Sequence, residues 1–467
     1  MSEQHSRRKR QDSRTRNPFF ASPLATVLTC MLAFLAVGLF IKCVVDLVDS
    51  IPGQPGTSIS STPSTGETEG GENTPITVVS SATISSQGDL LMHKPVIDTC
   101  KDKDGNYDFE SIFRYVKSYV SGYDYAVANF ETTLGGPDYP YQGNPSFNTP
   151  DAFADDLVDT GFDMLLTANN HCADTTASGI LRTLEQLRKR NLATVGTQKD
   201  DTEQDFVVIE VNGIRIGVSC YTYATDETKD GRPQLNFNSF LSKADIVNYY
   251  MEDKLERFYG EAEAQVSAMK KQNVDAIMFY MHWGEEYKTE ENQVQNEMAQ
   301  NLCNMGVDVI VGGHPHVVQP MELLRSQRDP NHRTVCIYSL GNVVSNQREG
   351  IDSAFKGGFT EDGVIFNVTF EKYSDGSVHL AGAEVLPTWV NMHTTDGVKE
   401  YNVLPLDKSK ESQWKELFDI SDDTLKKAQD SYKRTMKILE EGLEECQKYL
   451  ENAKQLRLQG DNLADVQ

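Results

Sequence analysis

From Ile76 onward the chain alternates short apolar runs with segments whose apolar residues recur every three or four positions. Unbroken β-branched or period-two runs predict strands, and a 3.6-residue period predicts helices. On that basis strands fall at 76–86, 123–131, 162–171, 274–284, 306–311 and 334–342. Helices fall at 109–120, 150–161, 176–191, 253–272 and 291–305. Two β runs within 205–223 meet at Asn212-Gly213, the sequence of a type I′ hairpin. Two longer runs, 363–373 and 377–390, close the series as further strands. Strands alternating with helices call for parallel pairing, and hairpins add antiparallel strands. The class is α/β with mixed sheets.

The two ends break the pattern. Residues 24–41 carry no charge and follow the basic stretch 7–16. Roughly 20 apolar residues span a bilayer, and a cleaved signal peptide has a shorter apolar core. The expectation is a basic cytoplasmic tail over 1–23 and a single transmembrane helix over 24–48. The positive side stays inside, which puts the main domain outside the cell, tethered by the Gly/Pro/Ser/Thr-rich linker 49–75. The folded domain covers 76–405, and a helical extension covers 406–467. Leu425, Ala428, Tyr432, Met436, Leu439, Leu443, Cys446 and Leu450 form an apolar stripe on that extension, weakened at Gly442. A coiled-coil dimer and packing back on the domain both fit such a stripe.

Charge narrows the partners. The net charge is −25, residues 1–50 contribute +3 from seven basic and four acidic side chains, and the remainder is therefore −25 − 3 = −28. So acidic a domain excludes nucleic acid. It meets a polyanion only where bound cations invert the local field. The widely spaced cysteines beyond the apolar run do not resemble a disulfide scaffold and are expected as buried small residues.

Only nine histidines occur, yet two sit together in "VGGHPHVVQP". Gly312 and Gly313 let a strand end turn sharply. Pro315 fixes its own φ and is expected to hold His314 extended. The other strand ends are polar too: Asp89, Asn129 with Glu131, Asn170 with His171, and His282. Strand exits are where open α/β sheets carry their sites. Two carboxylates (Asp89, Glu131), one amide oxygen (Asn170) and three imidazoles (His282, His314, His316) make a ligand set for two divalent cations. Mn, Zn or Fe all suit such mixed N/O ligands. His171, beside a ligand, is placed to give a proton to a leaving group. Trp283, Glu286, Tyr287 and Asn342 are expected around the pocket, and Asp174 as a cap for the helix after it.

The stretches "GDLLMH" (88–93), "NFE" (129–131), "NNHCADTTASG" (169–179), "HWGEEY" (282–287), "GGHPHVVQP" (312–320) and "YSLGN" (338–342) resemble, in order, the motifs of the CapA family of capsule or poly-γ-glutamate synthesis proteins. That family is similar in turn to calcineurin-like metallophosphoesterases. The resemblance implies an α/β/β/α sandwich of two mixed sheets with the metal site lined by the set above. It departs from the phosphoesterase pattern in two places. No histidine stands two residues after Asp89, so His93 is the candidate for that ligand. Asn129-Phe130-Glu131 replaces Gly-Asp, which leaves Asn129 either at a metal or just behind one. The resemblance implies a membrane-anchored part in capsule or polyglutamate synthesis or export, alongside other membrane proteins. The ligands imply a metal-dependent hydrolase with an anionic polymer or phosphoester as substrate. The alternatives are an extracellular phosphoesterase or amide hydrolase unrelated to polyglutamate, and a non-catalytic scaffold with a structural metal.

Overall fold

The computed structural model describes residues 76–459 except 237, 244, 245 and 396. The expected basic tail, transmembrane helix and linker lie outside the described residues, among which no helix is long and apolar enough to cross a membrane.

Two mixed sheets dominate. The first runs, edge to edge, through Val398–Pro405, Val378–Thr395, Asp362–Tyr373, β1 (Val78–Leu90), β2 (Tyr125–Asn129), β3 (Met164–Leu166) and Ala193–Val195, with Asn342–Val344 alongside the end of β1. β1, β2 and β3 are parallel, and β1 is antiparallel to Asp362–Tyr373. The second sheet runs through Val318–Arg325, Arg333–Leu340, Val309–Gly313, Ala276–His282, Ile214–Tyr223 and Val207–Val211. Its three site-bearing strands, β4 (Ile214–Tyr223), β5 (Ala276–His282) and β6 (Val309–Gly313), are parallel. The hairpin turn has positive φ at both Asn212 and Gly213, as its sequence requires.

The inner faces of the sheets share one core. Ala82, Ile84 and Val127 from the first meet Ile216, Val218, Met278 and Val309 from the second, and the Ser86 and Tyr280 hydroxyls bond across the gap at 2.8 Å. Helices cover both outer faces. Phe113, Phe153 and Leu157 pack under the first sheet, and Phe258, Val266, Met298 and Leu302 under the second.

Several boundaries differ from expectation. The helix predicted over 109–120 is two short ones, Glu110–Phe113 and Lys117–Val120. The strand predicted over 162–171 is only Met164–Leu166. The polar residues after it leave the ladder to serve the site. The six described cysteines are all buried and unpaired.

The C-terminal helix, Asp422–Gln459, packs back on the domain. Leu439, Leu443, Cys446 and Leu450 enter the core between the sheets. Arg434 pairs with the buried Asp362, which also accepts from Ser431 at 2.6 Å, and Lys454 pairs with Glu371 at 2.6 Å. Gly442 is not merely a weak point in the stripe. A Cβ there would lie 1.9 Å from the Met321 carbonyl oxygen, so only glycine lets the helix approach the edge strand of the second sheet. Gly442→Ala should therefore lower stability by about 1–3 kcal/mol through overpacking, although alanine alone favours a helix by about 1 kcal/mol. Thermal melting of the variant checks the sign, and an unchanged or raised Tm would contradict the close approach.

Candidate metal centre

Strand register brings the polar ends together. In the first sheet Asp89 stands between Asn129 and Asn342. In the second, His282 is level with Gly313, one residue before His314. The sheets converge here, and a Cβ on Gly313 would fall 2.9 Å from Asp89 Oδ1. That glycine keeps the carboxylate within reach of the second sheet.

Asp89, Glu131, His282, His314 and His316 are all buried. They form two overlapping ligand groups, Glu131–His314–His316 and Asp89–Glu131–His282, each with its donor atoms within 4.8 Å of one another. Glu131 belongs to both. Its Oε1 lies 3.6 Å from His282 Nε2 and 3.7 Å from His316 Nε2. That oxygen and His314 Nδ1 are buried and have no hydrogen-bond partner among the described residues. Buried polar atoms are seldom left so. Glu131 Oε1 stands within 4 Å of two imidazole nitrogens, an arrangement a cation satisfies. Asn170 Oδ1 lies 2.8 Å from His282 Nε2.

The electrostatics agree. Burial first, then the charges of Asp89 and Glu286, hold the Glu131 carboxyl well above the usual carboxylate range. Burial first, then neighbouring histidines, holds His282 and His314 far below the ordinary imidazole value. Their rings are neutral, the form that ligates metal.

His314 is not extended. Its φ is +95°, and that of His316 is +56°. Proline restricts the residue before it but does not dictate its conformation. The His314 N–H donates to Asp89 Oδ2 at 3.3 Å, and His316 Nδ1 lies 3.1 Å from the same oxygen. Positive φ in two histidines flanking one proline is strain of the kind functional sites hold.

The remaining expected residues divide by role. Asn129 Nδ2 donates to Asp89 Oδ1 at 2.7 Å and to Glu131 Oε2 at 3.3 Å, so it orients both carboxylates. His93 lies in neither ligand group. Its Nδ1 accepts from the Asn346 N–H at 3.3 Å, its ring meets Phe147 edge-on at 5.2 Å, and burial, then His316, pushes its pKa down to about 3. Trp283 is fully buried against the outer helices, with Nε1 donating to the Tyr338 carbonyl at 2.8 Å. It points away from His282 because neighbours in a strand face opposite ways. Glu286 is exposed and Tyr287 half-buried, its ring 6.3 Å from that of His316. Asn342 is buried and donates to the His316 and Thr360 carbonyls, bracing the loop from below.

His171 Nδ1 lies 2.8 Å from Asp174 Oδ2. Asp174 does not cap the following helix. It also accepts from the Phe147 N–H at 2.6 Å and from Asn238 Nδ2 at 2.9 Å, and Phe147 meets the His171 ring at 4.5 Å. With Nδ1 engaged, Nε2 is the end of the ring without a hydrogen-bond partner among the described residues.

Sequence reasoning missed three contributors. Asn169 Nδ2 donates to Asn129 Oδ1 at 3.2 Å and to the Phe130 carbonyl at 2.9 Å. Tyr223 sets its ring 4.9 Å from that of His314. Phe147 packs against both His93 and His171. Tyr223 ends β4 and could have been read as one more polar strand end. Phe147 sits in an irregular segment with no such signal.

A mixed α/β protein whose strand ends converge on two overlapping groups of cation ligands is the class that fold and site define. Residues 83–347, more than half of the chain, match the family described as "Bacterial capsule synthesis protein PGA_cap", and the chain belongs to that family, the CapA proteins. All six motif stretches lie inside the match. The chain is 28% identical over 264 residues to "PGA biosynthesis protein CapA" of Bacillus subtilis (strain 168), covering 56% of this chain and 62% of that protein. It is 28% identical over 274 residues to "Capsule biosynthesis protein CapA" of Bacillus anthracis, covering 57% and 60%. The chain thus spans less than two thirds of either relative. Among solved structures, TT1561 of Thermus thermophilus overlaps 62% of this chain and 94% of its own at 10% identity, with a TM-score of 0.31, too loose a match to carry weight.

Proposed function

We propose that this chain is a membrane-anchored, cell-surface participant in capsule or poly-γ-glutamate synthesis or export, with a two-cation, hydrolase-type centre in a calcineurin-like metallophosphatase sandwich. The observation that carries the reading is Glu131, a buried carboxylate common to two ligand groups, with one oxygen unpartnered among the described residues. Such a residue fits a bridge between two divalent ions of the Mn, Zn or Fe type. Bound there, they would supply Lewis acidity and lower the pKa of an attacking water. The chain's own part is to hold Asp89 and Glu131 in place through Asn129, and to offer Nε2 of His171 as proton donor when that ring is protonated. The basic stretch before the apolar run supports the anchor, and the names of the relatives support the polymer. An anionic polymer or phosphoester would meet the acidic surface only at the cations. Other membrane proteins of the synthesis complex are the expected partners.

The test is a deletion strain complemented by the full chain. Surface anionic polymer should fall on deletion and return on complementation, and protease added to intact cells should remove the domain. Unchanged polymer would argue for an unrelated hydrolase. Full protection from protease would sink the surface placement.

A further inference from the structure

β5 starts at Ala276 and delivers His282 to the metal centre at its other end. Seven strand residues put these ends about 20 Å apart. At the starting end a cavity of about 280 Å³ opens between the two sheets and the C-terminal helix. Arg457 reaches it from the helix. Its Nε and Nη1 are sealed from solvent without a hydrogen-bond partner among the described residues. The side chain is half-buried and its guanidinium also bonds the Tyr373 hydroxyl, which leaves these two sealed N–H groups in want of an acceptor. Glu371, the carboxylate acting on Arg457, is already engaged by Lys454 at 2.6 Å and the Tyr373 hydroxyl at 3.0 Å.

The rest of the lining is divided by charge. Arg333 and His379 share the cavity with Arg457. The Arg333 guanidinium lies 5.4 Å from the centre of the Tyr449 ring, which holds it by a cation–π contact. Asp275, Asp308 and Asp329 line the same cavity. Asp275 and Asp308 each commit one oxygen to a backbone N–H, of Arg215 and of Ile277, both at 2.8 Å.

We infer that this cavity is a second ligand site, separate from the metal centre, which binds a free amino acid. The carboxylate meets Arg457, and the ammonium meets the aspartate wall. A polyanion such as phosphate would satisfy Arg457 but face three aspartates. A zwitterion satisfies both sides. A carboxyl-bearing side chain would add a contact to Arg333, so L-glutamate is the probe of choice.

The experiment is calorimetric titration of the full chain. L-Glutamate should bind saturably. Glutarate, which lacks the ammonium, and inorganic phosphate should bind at least tenfold more weakly. Arg457→Gln should weaken glutamate binding at least tenfold while cation content and melting temperature stay at wild-type values. Should that variant fail to fold, His379→Ala reads the same wall and should also weaken binding. The inference is overturned by an absence of saturable glutamate binding, by glutarate or phosphate binding as tightly as glutamate, or by wild-type affinity in a folded Arg457→Gln. Binding seen only after removal of residues 460–467 would give the pocket to the chain's own tail, and would also overturn it.

Discussion

Glu131→Ala is expected to strip the protein of nearly all its bound transition metal. Both ligand groups contain this residue, so its loss removes a ligand from each at once. The double variant His314→Ala/His316→Ala should lose less. It destroys one group and leaves Asp89, Glu131 and His282 intact. Elemental analysis of the full-length variants gives the order directly. The fold should tolerate the change, because a fully buried carboxyl beside Asp89 burdens the metal-free protein. Metal-free Glu131→Gln should therefore melt no lower than metal-free wild type. Wild-type metal content in a folded Glu131→Ala would end the assignment of Glu131 as a shared ligand.

His171→Ala should keep its metal and its fold but lose activity by about 10²–10⁴-fold, the usual effect of removing a general acid. The residue belongs to neither ligand group. Its ring is aimed by Asp174 and edged by Phe147, so truncation leaves the cations untouched. Complementation of a deletion strain, with metal content and melting measured on the same variant, is the deciding assay. Full complementation by metal-loaded His171→Ala would favour a scaffold. Failure with metal and melting intact would mark a catalytic centre.

Much of this site was visible as an ordered series of polar residues where apolar runs stop. Asp89, His282 and the histidine pair stand out because nothing in a strand's interior asks for them. The neighbours that aim them were harder to see. Asn129 and Asn169 could as well be turn residues, and only their hydrogen bonds distinguish the roles. Trp283, next to His282 in sequence, looked like pocket wall, yet strand alternation turns it to the opposite face. The positive φ of His314 was hidden because proline statistics favour the extended form, whereas Asp89 and the converging sheets select another. Edge strands Val318–Arg325 and Val398–Pro405 escaped notice because Pro320 and Glu322 interrupt the first pattern and Lys399 and Glu400 the second.

The docking of the C-terminal helix has a kinetic side. Leu439 to Leu450 close a core built from strands made up to some 360 residues earlier, such as that of Ala82 and Ile84. Until that helix emerges, Val318–Arg325 lies uncovered as an open sheet edge, and such edges invite intermolecular pairing. The nascent sandwich is thus a species to be shielded during synthesis. Truncations within this helix are expected to reveal themselves as aggregates before they register as lost activity.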